Sequence, residues 1–499
     1  MFEYAAAPEG VRPRLRDRYG HFIGGRFVEP VEGAYFKTVN PATDAVIAEV
    51  ADGSAADVDR AVKAAREALP AWSGLPGVER GKYIYRIARR IQELSRELAV
   101  AETMDGGKPI RESRDVDVPL AAQHFFYYAG WADKLGYAFA GGGEFVGVGA
   151  DGPPLSPALS PGGRGRRIMP VGVCGQVIPW NFPLLMASWK LGPALAVGNT
   201  CVLKPAETTP LTALMLAEIF EEIELPAGVV NIVTGAGATG AAVVEHPDVN
   251  KVAFTGSTEV GKRIAHAVAG TGKKLTLELG GKSPNIVFDD ASIDQAVEGI
   301  VQGIYFNQGH VCCAGSRVFV QEGVAAEVVA KLKRRMGELR VGDPLDKNTD
   351  VGAINSAAQL ATIERYVEAG KAEGGSFWQA AGDVPAAGNW CRPCLFEGVQ
   401  PSAVVAREEI FGPVLAVMTF RTPAEAIQRA NNTPYGLAAG VWTDKGSKVF
   451  EVARRLDAGV VWLNTYNKFD AASPFGGFKE SGFGREGGVH GLRGYVRLD

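Results

Sequence analysis

Between Val171 and Phe254 short β-forming runs alternate with stretches of helical periodicity, and this alternation restricts the fold more than any other feature of the chain. Residues 171–178, 200–203, 229–233 and 252–254 supply the strands, and residues 184–196, 212–223 and 260–269 supply the helices. Such a succession reads as a parallel, doubly wound sheet, with ligands expected at the carboxyl ends of its strands. A second α/β unit is expected from about Gly281 to Lys479, where helical patterns at 325–336 and 358–373 alternate with strands such as 414–420. Two units suit the length, because 499 residues with 46% hydrophobic content exceed what one simple core organises.

Ahead of this region, Val58, Ala61, Val62, Ala65 and Leu69 recur at helical spacing behind a capping pair, Ser54 and Asp57. Ile84, Ile87, Ile91, Leu94 and Leu98 form the stripe of a second helix, and Arg86, Arg89, Arg90 and Arg96 lie mostly off it, as on a solvated face. Residues 141–167 differ in kind. With 9 glycines and 4 prolines in 27 residues they can bury little surface, so a mobile loop is expected there.

Charge and cysteine usage exclude several classes of function. The 52 basic and 56 acidic side chains leave a net charge of −4, which argues against a nucleic-acid footprint or a polybasic membrane patch. Met1-Phe2-Glu3-Tyr4-Ala5 carries acid where a secretory signal needs base, and no window offers about 18 uninterrupted apolar residues, so no membrane span and a cytoplasmic location are expected. Cys174, Cys201, Cys312, Cys313, Cys391 and Cys394 are too sparse for a disulfide framework and should be reduced thiols. Cys391-Arg392-Pro393-Cys394 lacks the second pair or the histidines that a closed zinc site needs, so a surface loop is expected and no metal.

Three segments carry chemistry. Asn307-Gln308-Gly309-His310-Val311-Cys312-Cys313-Ala314-Gly315-Ser316-Arg317 sets Cys312 among glycines and small residues that a substrate can reach. Free cysteines more often serve packing, but a packing cysteine does not need Gly309, Ala314 and Gly315 around it. As a nucleophile its thiol, ordinarily near pKa ~8.5, must be lowered or lose its proton to a base. In Leu275-Thr276-Leu277-Glu278-Leu279-Gly280-Gly281-Lys282-Ser283-Pro284, Glu278 is a candidate base, and the paired glycines permit close backbone approach by a cofactor or substrate. Ile178-Pro179-Trp180-Asn181-Phe182-Pro183 places an amide between aromatics, a donor suited to an oxyanion. The plainer readings of the last two are an exposed strand-end carboxylate and a turn residue. Gly235-Ala236-Gly237-Ala238-Thr239-Gly240 fits a dinucleotide fingerprint only in part. The acidic residue expected about 20 positions on is replaced by Phe254-Thr255-Gly256.

Together with Gly256-Ser257-Thr258, Glu408-Glu409-Ile410-Phe411-Gly412-Pro413 and Pro474-Phe475-Gly476-Gly477-Phe478-Lys479, these segments resemble the aldehyde dehydrogenase superfamily, in the right order, from about Phe22 to Glu486. The resemblance implies an NAD(P)-dependent oxidation of an aldehyde to a carboxylic acid through a cysteine thiohemiacetal and a thioester. It implies Cys312 as nucleophile beside an inert Cys313, Asn181 and the Cys312 amide as the oxyanion site, and Glu278 as the base that activates water. Superfamily members that pass the acyl group to coenzyme A typically lack this glutamate, so hydrolysis is expected. By the same resemblance Lys204 and Glu207 hold the adenosine ribose, Trp180 and Ser257 meet the pyrophosphate, Glu409 and Phe411 hold the nicotinamide ribose, and Gly237, Gly240 and Leu279 complete the cofactor site. NAD is expected in preference to NADP.

Phe182, Trp189, Phe306, Phe469 and Phe475 are expected to line the substrate pocket, unless they simply pack a core. The implied fold is α/β, two doubly wound parallel-sheet domains with a small oligomerisation arm. A Rossmann-like cofactor domain covers 1–140 and 168–280, a catalytic domain covers 281–480, and the arm comprises 141–167 and 481–499. A homodimer is expected before a homotetramer. Two alternatives stand beside this reading. One is a semialdehyde dehydrogenase whose charged substrate is anchored by Lys468 or Arg317, and the other is a cofactor-binding protein of this fold without turnover.

Overall fold

The computed structural model describes residues 5–139, 144, 145, 147 and 167–498. Five strands form the parallel centre of the first sheet: β1 (Val173–Val177), β2 (Thr200–Lys204), β3 (Val230–Ile232), β4 (Lys251–Thr255) and β5 (Lys274–Glu278), in the order β5-β4-β1-β2-β3. Every residue of β2, β3 and β4 is buried, which is why Cys201–Leu203 and Val252–Phe254 read as continuous apolar runs and not as alternating ones. The chain winds outward from β1 through β2 and β3, then returns to the other side of β1 with β4. The loops after β1 and β4 therefore diverge at a switch point, where an open α/β sheet leaves a crevice.

The sheet is not purely parallel. His21–Ile23 and Arg26–Val28 add an antiparallel hairpin beyond β3, and Gly482–Phe483 pairs antiparallel with β5. That last pairing corrects the assignment of 481–499 wholly to the arm. Among the described residues of that segment, Val496–Leu498 pairs with Arg167–Pro170, which in turn runs parallel to Glu144–Phe145. The mobile loop expected within 141–167 lies, apart from 144, 145, 147 and 167, outside the described residues.

The second sheet contains β6 (Pro284–Val287), β7 (Arg317–Gln321), β8 (Ser376–Gln379), β9 (Cys394–Glu397), β10 (Val414–Phe420), β11 (Ala438–Trp442) and β12 (Val460–Leu463). Their order is β8-β9-β10-β7-β6-β11-β12, parallel throughout except for β8. Cys394 opens β9 and is fully buried, so the surface loop expected for 391–394 is corrected: its second cysteine belongs to the core.

Among the helices, Ala55–Gly74 starts at the expected cap, with the Ser54 N–H donating to Asp57 Oδ2 at 3.0 Å. The stripe read across Ile84 to Leu98 breaks at Leu94 into Gly77–Glu93 and Ser95–Gly106. Next comes Ile110–Glu112, then a π-helical turn at Ser113–Asp117, two residues short of Pro119, which has no N–H to offer an α-helical ladder. Among the described residues, no helix is long and apolar enough to cross a membrane.

Candidate active site

A cavity of about 530 Å³ takes its walls from both sheets' loops, and Asn181, Glu278 and Cys312 all line it. Asn181 lies between β1 and the helix Pro183–Val197, whose first residue is a proline suited to a helix start. It is 6% exposed, and its Nδ2 donates to the His310 carbonyl at 2.8 Å. An amide nitrogen carries two hydrogens, so one remains for a ligand.

Cys312 follows a sharp turn at Phe306–Gly309 in which Asn307 and Gln308 adopt left-handed backbone angles, φ 47° and 53°. Its side chain is half-buried, whereas Cys313 is buried with its thiol turned to Asn467 Oδ1 at 3.8 Å. Among the described residues the Cys312 N–H has no backbone acceptor. Contact with the Cys313 thiol, and then burial, push the Cys312 thiol well above its ordinary pKa, so reaction requires a group to take its proton.

The glycines after Glu278 are also required by the chain's own packing, while Gly280 lines the cavity. A β-carbon on Gly280 would stand 1.9 Å from Glu409 Oε2, and one on Gly281 would stand 2.4 Å from the Cys312 carbonyl oxygen. Here the chain itself approaches, with the Cys312 loop and the Glu409 loop drawn against β5. Gly281 N–H also donates to Glu409 Oε1 at 3.0 Å.

Glu278 ends β5 with both carboxylate oxygens buried and unpartnered among the described residues. Burial and the neighbouring Glu486 hold its carboxyl well above the usual range, against the pull of Lys190. Sequence reasoning missed these two neighbours. Lys190 Nζ donates to Thr255 Oγ1 at 2.7 Å and to Glu486 Oε1 at 2.9 Å, fully buried. The signal was present as a lone lysine inside an otherwise apolar helix, since a buried charge needs a partner.

All five expected pocket aromatics line the same cavity. Phe182 stacks on Phe306 at 6.2 Å, while Trp189, Phe469 and Phe475 form a cluster with the Trp189 and Phe475 rings 5.3 Å apart. Lys468 reaches the cavity wall, but Arg317 does not. Its guanidinium is buried against the carbonyls of Lys282 and Ala430, both at 2.8 Å, which removes it as an anchor for a charged substrate.

Of the expected cofactor residues, Trp180, Ser257, Leu279, Glu409 and Phe411 share this cavity, with Trp180 and Ser257 on the two loops at the switch point. Phe411 has φ 55° and stands edge-on to Trp180 at 5.2 Å. Gln359, another residue missed in the sequence, fixes that turn by donating to the Ile410 and Phe411 carbonyls at 3.1 and 2.9 Å. Lys204, Glu207, Gly237 and Gly240 stand beyond the cavity, past the ends of β2 and β3. Lys204 Nζ meets Glu207 Oε2 at 3.1 Å. Gly237 begins the helix Gly237–Glu245, and a β-carbon at Gly237 or Gly240 would meet nothing within 4 Å. A dinucleotide fits this set: a bare helix N-terminus for phosphate, a lysine–carboxylate pair for ribose hydroxyls, and a second carboxylate inside the cavity.

Comparison with known proteins agrees over almost the whole chain. A family model described as the aldehyde dehydrogenase family matches residues 27–499. The mitochondrial aldehyde dehydrogenase of Homo sapiens is 46% identical over 484 residues, covering 96% of this chain and 90% of that one. The mitochondrial benzaldehyde dehydrogenase of Antirrhinum majus is 44% identical over 500 residues, covering 99% and 90%. A solved NAD+ complex of aldehyde dehydrogenase from Bacillus cereus superposes with a TM-score of 0.91 at 42% identity, covering 98% of this chain and 99% of that one.

Proposed function

This chain belongs to the aldehyde dehydrogenase family, and on that premise we propose that it oxidises an aldehyde to a carboxylic acid with NAD, through Cys312, in a hydrolytic cycle. The observation that carries the reading is the convergence of Cys312, Asn181 and Glu278 on one cavity. The Cys312 thiol gives up its proton to solvent water, Sγ attacks the aldehyde carbon and the carbonyl electron pair moves onto oxygen. The free Asn181 amide hydrogen and the Cys312 N–H receive that oxyanion. NAD, when bound, supplies the acceptor for the hydride that leaves the same carbon. Glu278 then takes a proton from the water that attacks the thioester, and the acid departs as the thiol is restored. A carboxyl whose affinity for protons is raised is a stronger base than an ordinary one, which suits Glu278 to this step.

The aromatic cluster favours aromatic or long aliphatic aldehydes, because flat rings and chains bury well between Phe182, Phe306 and Trp189. Lys468 on the cavity wall supports a second reading, a substrate with a carboxylate tail. Glu207 favours NAD over NADP, since a carboxylate accepts hydrogen bonds from ribose hydroxyls and repels a 2′-phosphate. For assembly, the sheet of Arg167–Pro170 and Val496–Leu498 supports a homodimer through the arm, and light scattering that gave only monomer at micromolar concentration would refute it.

The test is NADH absorbance across short, long, aromatic and carboxylated aldehydes. Turnover is expected, fastest with the aromatic or long members. Silence across the panel while NAD still binds would overturn the proposal in favour of a non-catalytic protein of this fold.

A further inference from the structure

The two donors proposed for the oxyanion come from separate loops, one after β1 in the first sheet and one between β6 and β7 of the second sheet. Something must hold them in register, because misplacing reacting groups by about 1 Å can cost roughly 10²-fold in rate. Asn307 occupies the place where that can be done. It is 1% exposed, and its left-handed backbone is a conformation that asparagine tolerates better than most residues. Its Nδ2 donates to the Asn181 carbonyl at 2.8 Å and reaches the His310 carbonyl at 3.4 Å. Asn181 Nδ2 donates to that same His310 carbonyl at 2.8 Å, so the two asparagines close a ring of hydrogen bonds across the loops.

The clamp has an anchor. The Asn307 N–H donates to Glu112 Oε2 at 2.8 Å, and both groups are buried. Glu112 sits beside a buried ion cluster in which Lys108 Nζ meets Glu102 Oε1 at 3.1 Å and Asp117 Oδ2 at 2.6 Å. This cluster also reaches the other loop. Glu102 Oε2 accepts from the Leu184 N–H at 3.4 Å, and Lys108 Nζ lies 4.3 Å from the centre of the Phe182 ring. The loop carrying Asn181 and the loop carrying Cys312 thus rest on one rigid base, where a lost partner would leave a buried polar group unsatisfied.

We propose that Asn307, anchored by Glu112, is the positioning residue that holds the Asn181 amide and the Cys312 N–H in register for the oxyanion. This rests on the roles given to Asn181 and Cys312 above. Asn307→Gly keeps the left-handed backbone accessible and removes only the clamp. It should lower kcat and single-turnover NADH formation by about 10²-fold, with NAD affinity close to wild type and the thermal midpoint lowered by only a few degrees for the carbonyl left unpaired. Glu112→Leu should lower kcat by about 10-fold or more, and Glu112→Gln, which keeps an oxygen for the Asn307 N–H, should recover most of that loss.

An Asn307→Gly variant within about threefold of wild type would overturn the inference, as would loss of NAD affinity in step with kcat. Should that variant not fold, the Glu112 pair decides alone: Glu112→Gln as impaired as Glu112→Leu would refute an acceptor role. Asn181→Ala separates the two levels. If it retains full kcat, the oxyanion reading itself fails; if it loses about 10²-fold while Asn307→Gly does not, only the clamp is wrong.

Discussion

At the Cys312 end of the crevice the polar groups are removed from water: Asn181 is buried, Glu278 has two oxygens without partners among the described residues, and burial lowers His310 to a pKa of about 3. At the Lys204 end only the lysine is buried: Glu207 is 51% exposed and Gly237 and Gly240 face open space. The first end changes the reactivity of its side chains by desolvation and needs each one placed by distant parts of the chain. The second offers shape and hydrogen bonds that water already competes for, so each of its contacts is weaker and more replaceable. Substitutions at the buried end should therefore change chemistry by orders of magnitude, and those at the open end should change preference.

The sharpest way to break this contrast is at the two adjacent cysteines. Cys312→Ala should reduce oxidation by on the order of 10³-fold or more, whereas Cys313→Ala, whose thiol turns to Asn467, should keep most of it. Equal losses in a steady-state assay would mean that the two thiols are interchangeable. Next in size, Glu278→Gln should slow steady-state turnover by about 10²-fold while stopped flow still records a first-turnover burst of NADH. An unchanged steady rate would remove Glu278 from the hydrolytic step.

At the open end the expected effect is smaller. Glu207→Ser should lower the NAD-to-NADP ratio of kcat/KM by roughly tenfold, since Lys204 remains to meet a 2′-phosphate. A ratio that does not move would deny Glu207 its ribose role, and a collapse of activity with both cofactors would contradict the contrast itself.

The last expected effect is on stability and not on catalysis. Burial lowers His124, packed beside Trp189, from 6.5 to about 3. As pH falls below 6.5 the unfolded chain binds a proton that the folded chain refuses, so this residue weakens the fold progressively in acid. His124→Leu should thus be more stabilising at pH 5 than at pH 8, by about 2 kcal/mol. Thermal midpoints at the two pH values would show it, and a pH-independent difference would mean that His124 is not held neutral.

Much of the fold was legible because its signals are local. The strand at 200–203 and the helix at 325–336 appear as Thr200–Lys204 and Ala325–Gly337, since burial of whole parallel strands and one-sided burial of helices imprint directly on the order of residues. Leu94 misled because its apolar spacing continues across a break that only backbone geometry reveals. Cys394 misled because the same tetrapeptide suits a loop or the entry to a buried strand. Arg317 looked free for a ligand because no sequence shows that backbone carbonyls surround it.

By itself the sequence determined the kinds of group available and their order: a cysteine among small residues, a carboxylate before two glycines, an asparagine between aromatics, and strands and helices in alternation. Those follow from covalent neighbours and from periodicity. Only the tertiary structure decided what surrounds each group. Glycines 280 and 281 admit the chain's own Glu409 and Cys312 loops, Lys190 meets Glu486 almost 300 residues later, and Asn307 spans from Asn181 to Glu112. Desolvation and hydrogen-bond partners depend on distance in space, and proximity between residues far apart in the chain exists only once both sheets have packed.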